Sequence, residues 1–316
     1  MKKGKSALLF RLLFIEILLG IFCFGIVMPQ YTQGFMASFI DKMNRAETID
    51  EPKILLMGDS NVLYGVRSDM LEEAVGMPVV NMGLHGGLGQ TMCMDIAKDT
   101  INADDIVIAL PAHYFYPERV SDPSLAWIML ENHPDLWRGV DLRDYLPLAE
   151  GFPVYIRKAI DLWANDLGNE NSIDDLSRGE RNEWGDIIFS GEQNVMPGGW
   201  LSDNYFVQNV EPDLMDYYND YNDFVVSKGG YFMLASPPVI EPAVEGQEEV
   251  VEIRQKQVEA YINFPFISDS AEYVFPIEYF RDTNYHLNNT GRVIRTQQLI
   301  KDLKAWMEEN YNSGSI

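Results

Sequence analysis

The chain predicts an α/β fold: a parallel sheet sandwiched by helices, carrying a large insertion and preceded by one transmembrane helix. Three observations predict it. Short apolar runs bounded by turn residues recur at Lys53–Met57, Pro78–Met82, Asp105–Leu110, Gly230–Ala235 and Glu272–Phe275. Helical patterns such as Ser68–Val75 and Gly89–Ile101 separate most of them. Strands that are apolar throughout, alternating with helices, belong to a parallel sheet covered on both faces. Third, the stretch from Ser6 to Met28 contains only two charges, Arg11 and Glu16.

That stretch is the first element. At about 1.5 Å per residue, a helix of this length crosses a hydrocarbon core of roughly 30 Å. Arg11 can snorkel to the near interface, and the cost of Glu16, on the order of 2–3 kcal/mol, is offset by the surrounding Leu, Ile and Phe. Lys2, Lys3 and Lys5 precede the run. The positive-inside rule then predicts a single-pass cell-membrane protein with a cytoplasmic N-terminus and everything else outside. A cleaved signal peptide is the rival; no clean small-x-small site follows the run, and Leu19, Gly20, Ile21 and Phe22 lack a lipoprotein pattern before Cys23. The expected organisation is an anchor over residues 1–30, a polar, partly helical stalk over 31–50, and an α/β domain over 51–316.

Between the third and fourth strands, residues 112–228 are too many for one crossover. They are expected to form an insertion with its own helices over the strand C-termini, where open α/β sheets bind ligands. Its tryptophans, Trp127, Trp137, Trp163, Trp184 and Trp200, are expected mainly as core. Glu248–Ile262 reads as a long helix, and Thr290–Asn310 as the last, with Leu299, Leu303 and Trp306 at helical spacing.

Charge excludes some functions. The net charge is −24, and the first 28 residues carry four basic side chains against one acidic, leaving −27 on the remainder. So acidic a surface repels nucleic-acid phosphates. Cys23 lies inside the apolar run and Cys93 beyond it, so no internal disulfide is expected, and Cys93 reads as a small buried apolar residue. No dinucleotide fingerprint, phosphate loop or zinc spacing appears, so neither cofactor nor metal is expected; the spacing of His85, His113 and His286 does not demand a metal cluster.

Three blocks carry chemistry. Ile54-Leu55-Leu56-Met57-Gly58-Asp59-Ser60-Asn61 runs a buried strand into a turn and then a helix-compatible segment. It sets the Ser60 hydroxyl at a strand C-terminus beside N–H groups that can stabilise an oxyanion. Gly-Asp-Ser is equally an ordinary turn and helix cap. Val79-Val80-Asn81-Met82-Gly83-Leu84-His85-Gly86-Gly87 ends a strand in a glycine-rich loop whose backbone can approach a substrate. Phe280-Arg281-Asp282-Thr283-Asn284-Tyr285-His286-Leu287-Asn288 sets a histidine beside acidic and amide groups, the composition of a general base with an orienting partner.

Together the blocks resemble the SGNH/GDSL hydrolase family, over residues 51–110 and 229–310. The resemblance implies a flavodoxin-like sheet, Ser60 as nucleophile, His286 as base, and an oxyanion hole from the N–H groups of Ser60 and Gly86. Asn61, Asn81 and His85 are the expected substrate-binding positions. The family's acid stands three residues before the histidine, where this chain has Thr283. Asp282 can stabilise an imidazolium while Asn284 can only orient the ring, so Asp282 is preferred. The family's asparagine oxyanion donor is expected after the third strand, where Leu110-Pro111-Ala112-His113-Tyr114 puts His113. An imidazole can donate that hydrogen bond, and His113 can equally be structural.

Asn182-Glu183-Trp184-Gly185-Asp186 and Tyr285-His286-Leu287-Asn288 are similar to membrane-anchored envelope members, the DltD-like and alginate O-acetylation groups. That likeness implies a bacterial cell-envelope esterase or O-acyltransferase acting on an acylated carbohydrate or small ester, with a multi-pass membrane acyltransferase as partner. The alternative class is a catalytically weak binding or assembly protein of an envelope polysaccharide-modification system, motivated by Thr283 and His113.

Overall fold

The computed structural model describes residues 2–28, 30–114, 120–131, 133–165, 177–189 and 209–311. Helix α1 (Lys2–Ile21) continues into a π-helical turn, Phe22–Val27. Within it, Ala7–Gly25 is long and apolar enough to cross a membrane, and the side chains from Leu8 to Leu19 are mostly exposed.

The segment expected as a stalk is part of the folded domain. Tyr31, Phe35, Phe39, Met43 and Ala46 are buried in the main core, the last three on helix α2 (Phe39–Thr48). Their spacing of three to four residues gives α2 an apolar face, and a sheet lies ready to cover it.

Strands β1 (Ile54–Met57), β2 (Val79–Asn81), β3 (Ile106–Ala109) and β4 (Tyr231–Leu234) form one parallel sheet in the order β2-β1-β3-β4. In β1 and β3 every residue is buried, as a sheet covered on both faces requires. Alternate side chains serve opposite layers. Leu55, Met57, Val80 and Val107 face a core built with α2, α5 (Gly89–Ala97) and α8 (Pro212–Ser227). Ile54, Leu56, Val79 and Ile108 face Leu71 of α4 (Ser68–Val75) and Leu299 and Leu303 of α10 (Asn289–Asn310).

The fifth apolar run departs from expectation. Val274–Phe275 is not in the main sheet; as β6 it pairs with β5 (Val239–Ile240) in a separate parallel pair. The place beside β4 goes to residues 265–267, where Leu234 N–H donates to Pro265 O and Ile267 N–H to Leu234 O. Pro265 offers no N–H, which an edge tolerates and which keeps the pairing short.

The insertion also ends earlier than expected. Helix α8 packs Tyr218 and Tyr221 on Phe232 of β4, so it is the ordinary crossover helix of the sheet. Helices α6 (Pro123–Leu130) and α7 (Tyr145–Asn165) form the described part of the insertion and pack on each other. Trp127 sits between them among Trp137, Phe152 and Tyr155, its N–H donating to Leu148 O. Trp163 is exposed, Trp184 is half-buried, and Trp200 lies outside the described residues.

Candidate active site

The sheet order reverses direction between β1 and β3, and a crevice opens outside the carboxyl ends of such neighbours. Ser60, the loop 83–87 and His113 follow β1, β2 and β3, so sheet topology alone gathers them. Ser60 opens the short helix α3 (Ser60–Gly65). Asp59 caps it, accepting Asn61 N–H through Oδ1 at 2.8 Å. Gly58 permits the turn, because a Cβ there would collide with Leu110 O at 2.6 Å.

His286 arrives from the far end of the chain. Its Nε2 lies 2.8 Å from Ser60 Oγ, and its Nδ1 lies 2.7 Å from Asp282 Oδ1. A tight loop holds the pair: Arg281 N–H donates to His286 O, His286 N–H donates to Thr283 Oγ1 at 3.1 Å, and Phe280 bridges Leu287. Asp282, four residues before His286, thereby reaches the ring, and Asn284 is buried at the loop's tip. The ring stacks on Tyr64, centroids 4.4 Å apart, and meets Tyr285 edge-on.

Burial alone would raise the Asp282 carboxyl. The hydrogen bond and charge of His286, with Arg281 behind it at 3.7 Å, outweigh that and hold it below the usual carboxylate range. An ionised Asp282 fixes the proton on Nδ1 and turns the Nε2 lone pair to the Ser60 hydroxyl. That arrangement can take a proton from Ser60 and return it to a leaving group.

The Ser60 N–H opens a helix and lacks an intrahelical acceptor. Gly86 is exposed in the neighbouring loop, and a Cβ built on it would stand 3.8 Å from Asp59 Oδ2. The loop is pinned by Gly87 N–H donating to His85 Nδ1 and by Gly87 O accepting from Ser121 and Asp122 N–H. His113 stands in the field of Asp59; burial lowers its pKa and the charge of Asp59 opposes the shift.

Two expected substrate-binding residues have other work. Asn61 is fully buried, its amide donating to Asp59 Oδ1 and Leu110 O. Asn81 is fully buried too, donating to Asp186 Oδ1 and accepting from Gly83 N–H. Both shape the site from beneath. His85 shapes its loop through Nδ1 and meets Phe35 edge-on.

The layer beneath the site escaped sequence reasoning. Lys42 of α2 is buried, and its Nζ donates to Asn81 O at 2.8 Å, Gly83 O at 2.6 Å and Gly185 O at 2.8 Å. Burial pulls its pKa down to about 7, with Arg181 adding to the shift. Asp186 is buried and accepts from Ser68 N–H, the Ser68 hydroxyl and the Asn81 amide. Gly185 has φ +93°, and a Cβ there would lie 2.7 Å from Asn81 O. The end of the insertion is thus stitched to the loop after β2. Arg295 of α10 is fully buried and donates to Asn61 O at 3.0 Å. Among the described residues, no group of three or more His, Cys, Asp or Glu is arranged to hold a metal ion.

No family model matches the chain, and no curated protein matches it. Among solved structures, a Streptococcus pneumonia protein provisionally described as a platelet activating factor is similar at 14% identity and a TM-score of 0.36, over 86% of this chain and 92% of that one.

Proposed function

We infer that the protein is a serine-dependent acyl-ester hydrolase or O-acyltransferase of the SGNH/GDSL type. The observation that carries the reading is the line Asp282–His286–Ser60, with contacts of 2.7 and 2.8 Å. His286 Nε2 takes the Ser60 proton as Oγ attacks the acyl carbonyl. The N–H groups of Ser60 and Gly86 and the His113 ring receive the oxyanion. Collapse expels the alcohol, protonated by His286, and leaves an acyl group on Ser60. Water or a glycan hydroxyl, deprotonated by the same imidazole, then takes the acyl group away.

The apolar N-terminal helix supports work at a membrane; the reading puts the domain outside, with an acylated carbohydrate or small ester as substrate. A multi-pass membrane acyltransferase is the partner that the resemblance to membrane-anchored envelope members implies. His113, in place of an amide donor, motivates the second reading, a catalytically weak binding or assembly protein.

One experiment decides between them. The full-length protein in detergent micelles is treated with a fluorophosphonate probe, alongside Ser60→Ala and His286→Ala. Labelling of the wild type alone is expected. A folded wild type that stays unlabelled would overturn the enzyme reading and favour the binding protein.

A further inference from the structure

The membrane helix meets the domain without a linker. Cys23 and Met28 are buried, and Tyr31 N–H donates to Glu131 Oε1 at 2.5 Å. Phe24, inside the apolar span Ala7–Gly25, stacks on Phe152 of α7 with ring centroids 5.4 Å apart. A residue at the end of a span sits at the edge of the hydrocarbon, so its stacking partner sits there too.

Helix α7 is built for that depth. Tyr145, Ala149, Phe152, Ile156 and Trp163 follow one another at intervals of four, three, four and seven, which puts them on one face. Tyr145 and Trp163 are 44% and 46% exposed at its two ends, about 27 Å apart along the axis. Tyr and Trp at both ends of an apolar stripe suit the headgroup boundary. Glu150, Arg157 and Asp161 share a different, exposed face. Just before the helix, Leu142 is 86% exposed. Residues 134–165 carry four basic and five acidic side chains, near neutrality in a chain of net charge −24, so lipid repels this segment little.

We propose that α7 lies in the membrane interface, its Tyr145–Trp163 stripe seated among the lipids beside the anchor. The proposal rests on reading α1 as a membrane anchor. It fixes the domain against the bilayer instead of letting it swing. It also brings the candidate site near the surface, because α7 packs on α6 and Leu125 of α6 abuts Gly87 beside Gly86. The fitting substrate is therefore one presented at the membrane surface.

The test uses the full chain with single cysteines, Ala149→Cys and Trp163→Cys on the stripe and Arg157→Cys on the charged face. Phe14→Cys reports on the anchor, and the parent chain is the labelling blank, its own cysteines being buried. Each variant carries an environment-sensitive fluorophore and is reconstituted in phosphatidylcholine vesicles, with or without lipids bearing a nitroxide, shallow for 149, 157 and 163 and deep in the acyl chain for 14. Expected are blue-shifted emission and severalfold stronger nitroxide quenching at 149 and 163 than at 157. Quenching at 14 with 149 and 163 as unquenched as 157 would overturn the proposal while leaving the anchor intact. Blue-shifted stripe labels that lipid nitroxides do not quench would overturn it in favour of a second copy on that face. No quenching at 14 would remove the anchor reading and the proposal with it.

Discussion

His286 Nε2 stands 2.8 Å from Ser60 Oγ, although 226 positions separate the two residues in the chain. Each side of the contact is braced separately: Ser60 by the Asp59 cap, His286 by Asp282 below and Tyr64 against its ring. Groups that work as one unit fail as one unit. Ser60→Ala and His286→Ala should each lower kcat/KM on a small aryl ester by about 10⁴-fold or more, and the double variant should fall little further. Steady-state kinetics on the three variants checks this; additive losses would mean that the two residues act independently.

Asp282 gives a pH prediction. Its carboxyl is held below the ordinary carboxylate range in the fold, so it contributes stability that is complete above the unfolded value of about 3.9 and fades as pH falls through the lowered folded value. Asp282 is half-exposed, so the contribution is small. Thermal melts of wild type and Asp282→Asn should differ by a constant amount above about pH 4 and converge below it. At neutral pH the same variant should lose about 10³–10⁴-fold in rate, because an amide can hold the wrong tautomer of His286.

The His113 ring follows β3 and sits in the field of Asp59. As an oxyanion donor it acts only once negative charge develops, so its loss should fall on kcat and spare KM. His113→Ala should cost about 10²-fold in kcat. His113→Asn, which restores a donor, should recover most of that. An Ala variant with wild-type kcat would assign His113 a structural role only.

The pairing of Ser60 with His286 is more legible in the sequence than the residues that hold it. A strand ending in Gly-Asp-Ser and a histidine loop before the last helix are local signals, so Ser60 and His286 could be read from neighbours in sequence. The preference for Asp282 over Asn284 rests on charge alone in the sequence; the loop closure that brings Asp282 to the ring, Arg281 N–H to His286 O, is contained in no spacing rule. Residues 31–50 carry an apolar pattern, yet the pattern does not say what will cover it, and it read as a stalk. Lys42 finds its three carbonyls 39 to 143 positions away, and Asp186 takes the Ser68 and Asn81 donors from 118 and 105 positions away, so buried polar groups satisfied mainly at such range leave little local trace.

Lys42 is therefore the place where folding and site geometry are most tightly joined. Three carbonyls, from Asn81, Gly83 and Gly185, converge on one Nζ. Methionine matches the stem but brings no donor, and a buried carbonyl left unpaired costs about 1–3 kcal/mol. Relief of the ammonium's desolvation offsets part of that, so Lys42→Met should destabilise the fold by about 3 kcal/mol. The sign of the pH dependence follows from a pKa lowered from 10.5 to about 7 in the fold. Between those values the unfolded chain binds a proton that the folded chain does not, so wild-type stability gains from this group as pH rises. Lys42→Met lacks that gain. Urea melts from pH 7 to 10 should show the gap between wild type and variant widening with pH, and a gap that stays constant would mean the three carbonyls hold Lys42 protonated throughout.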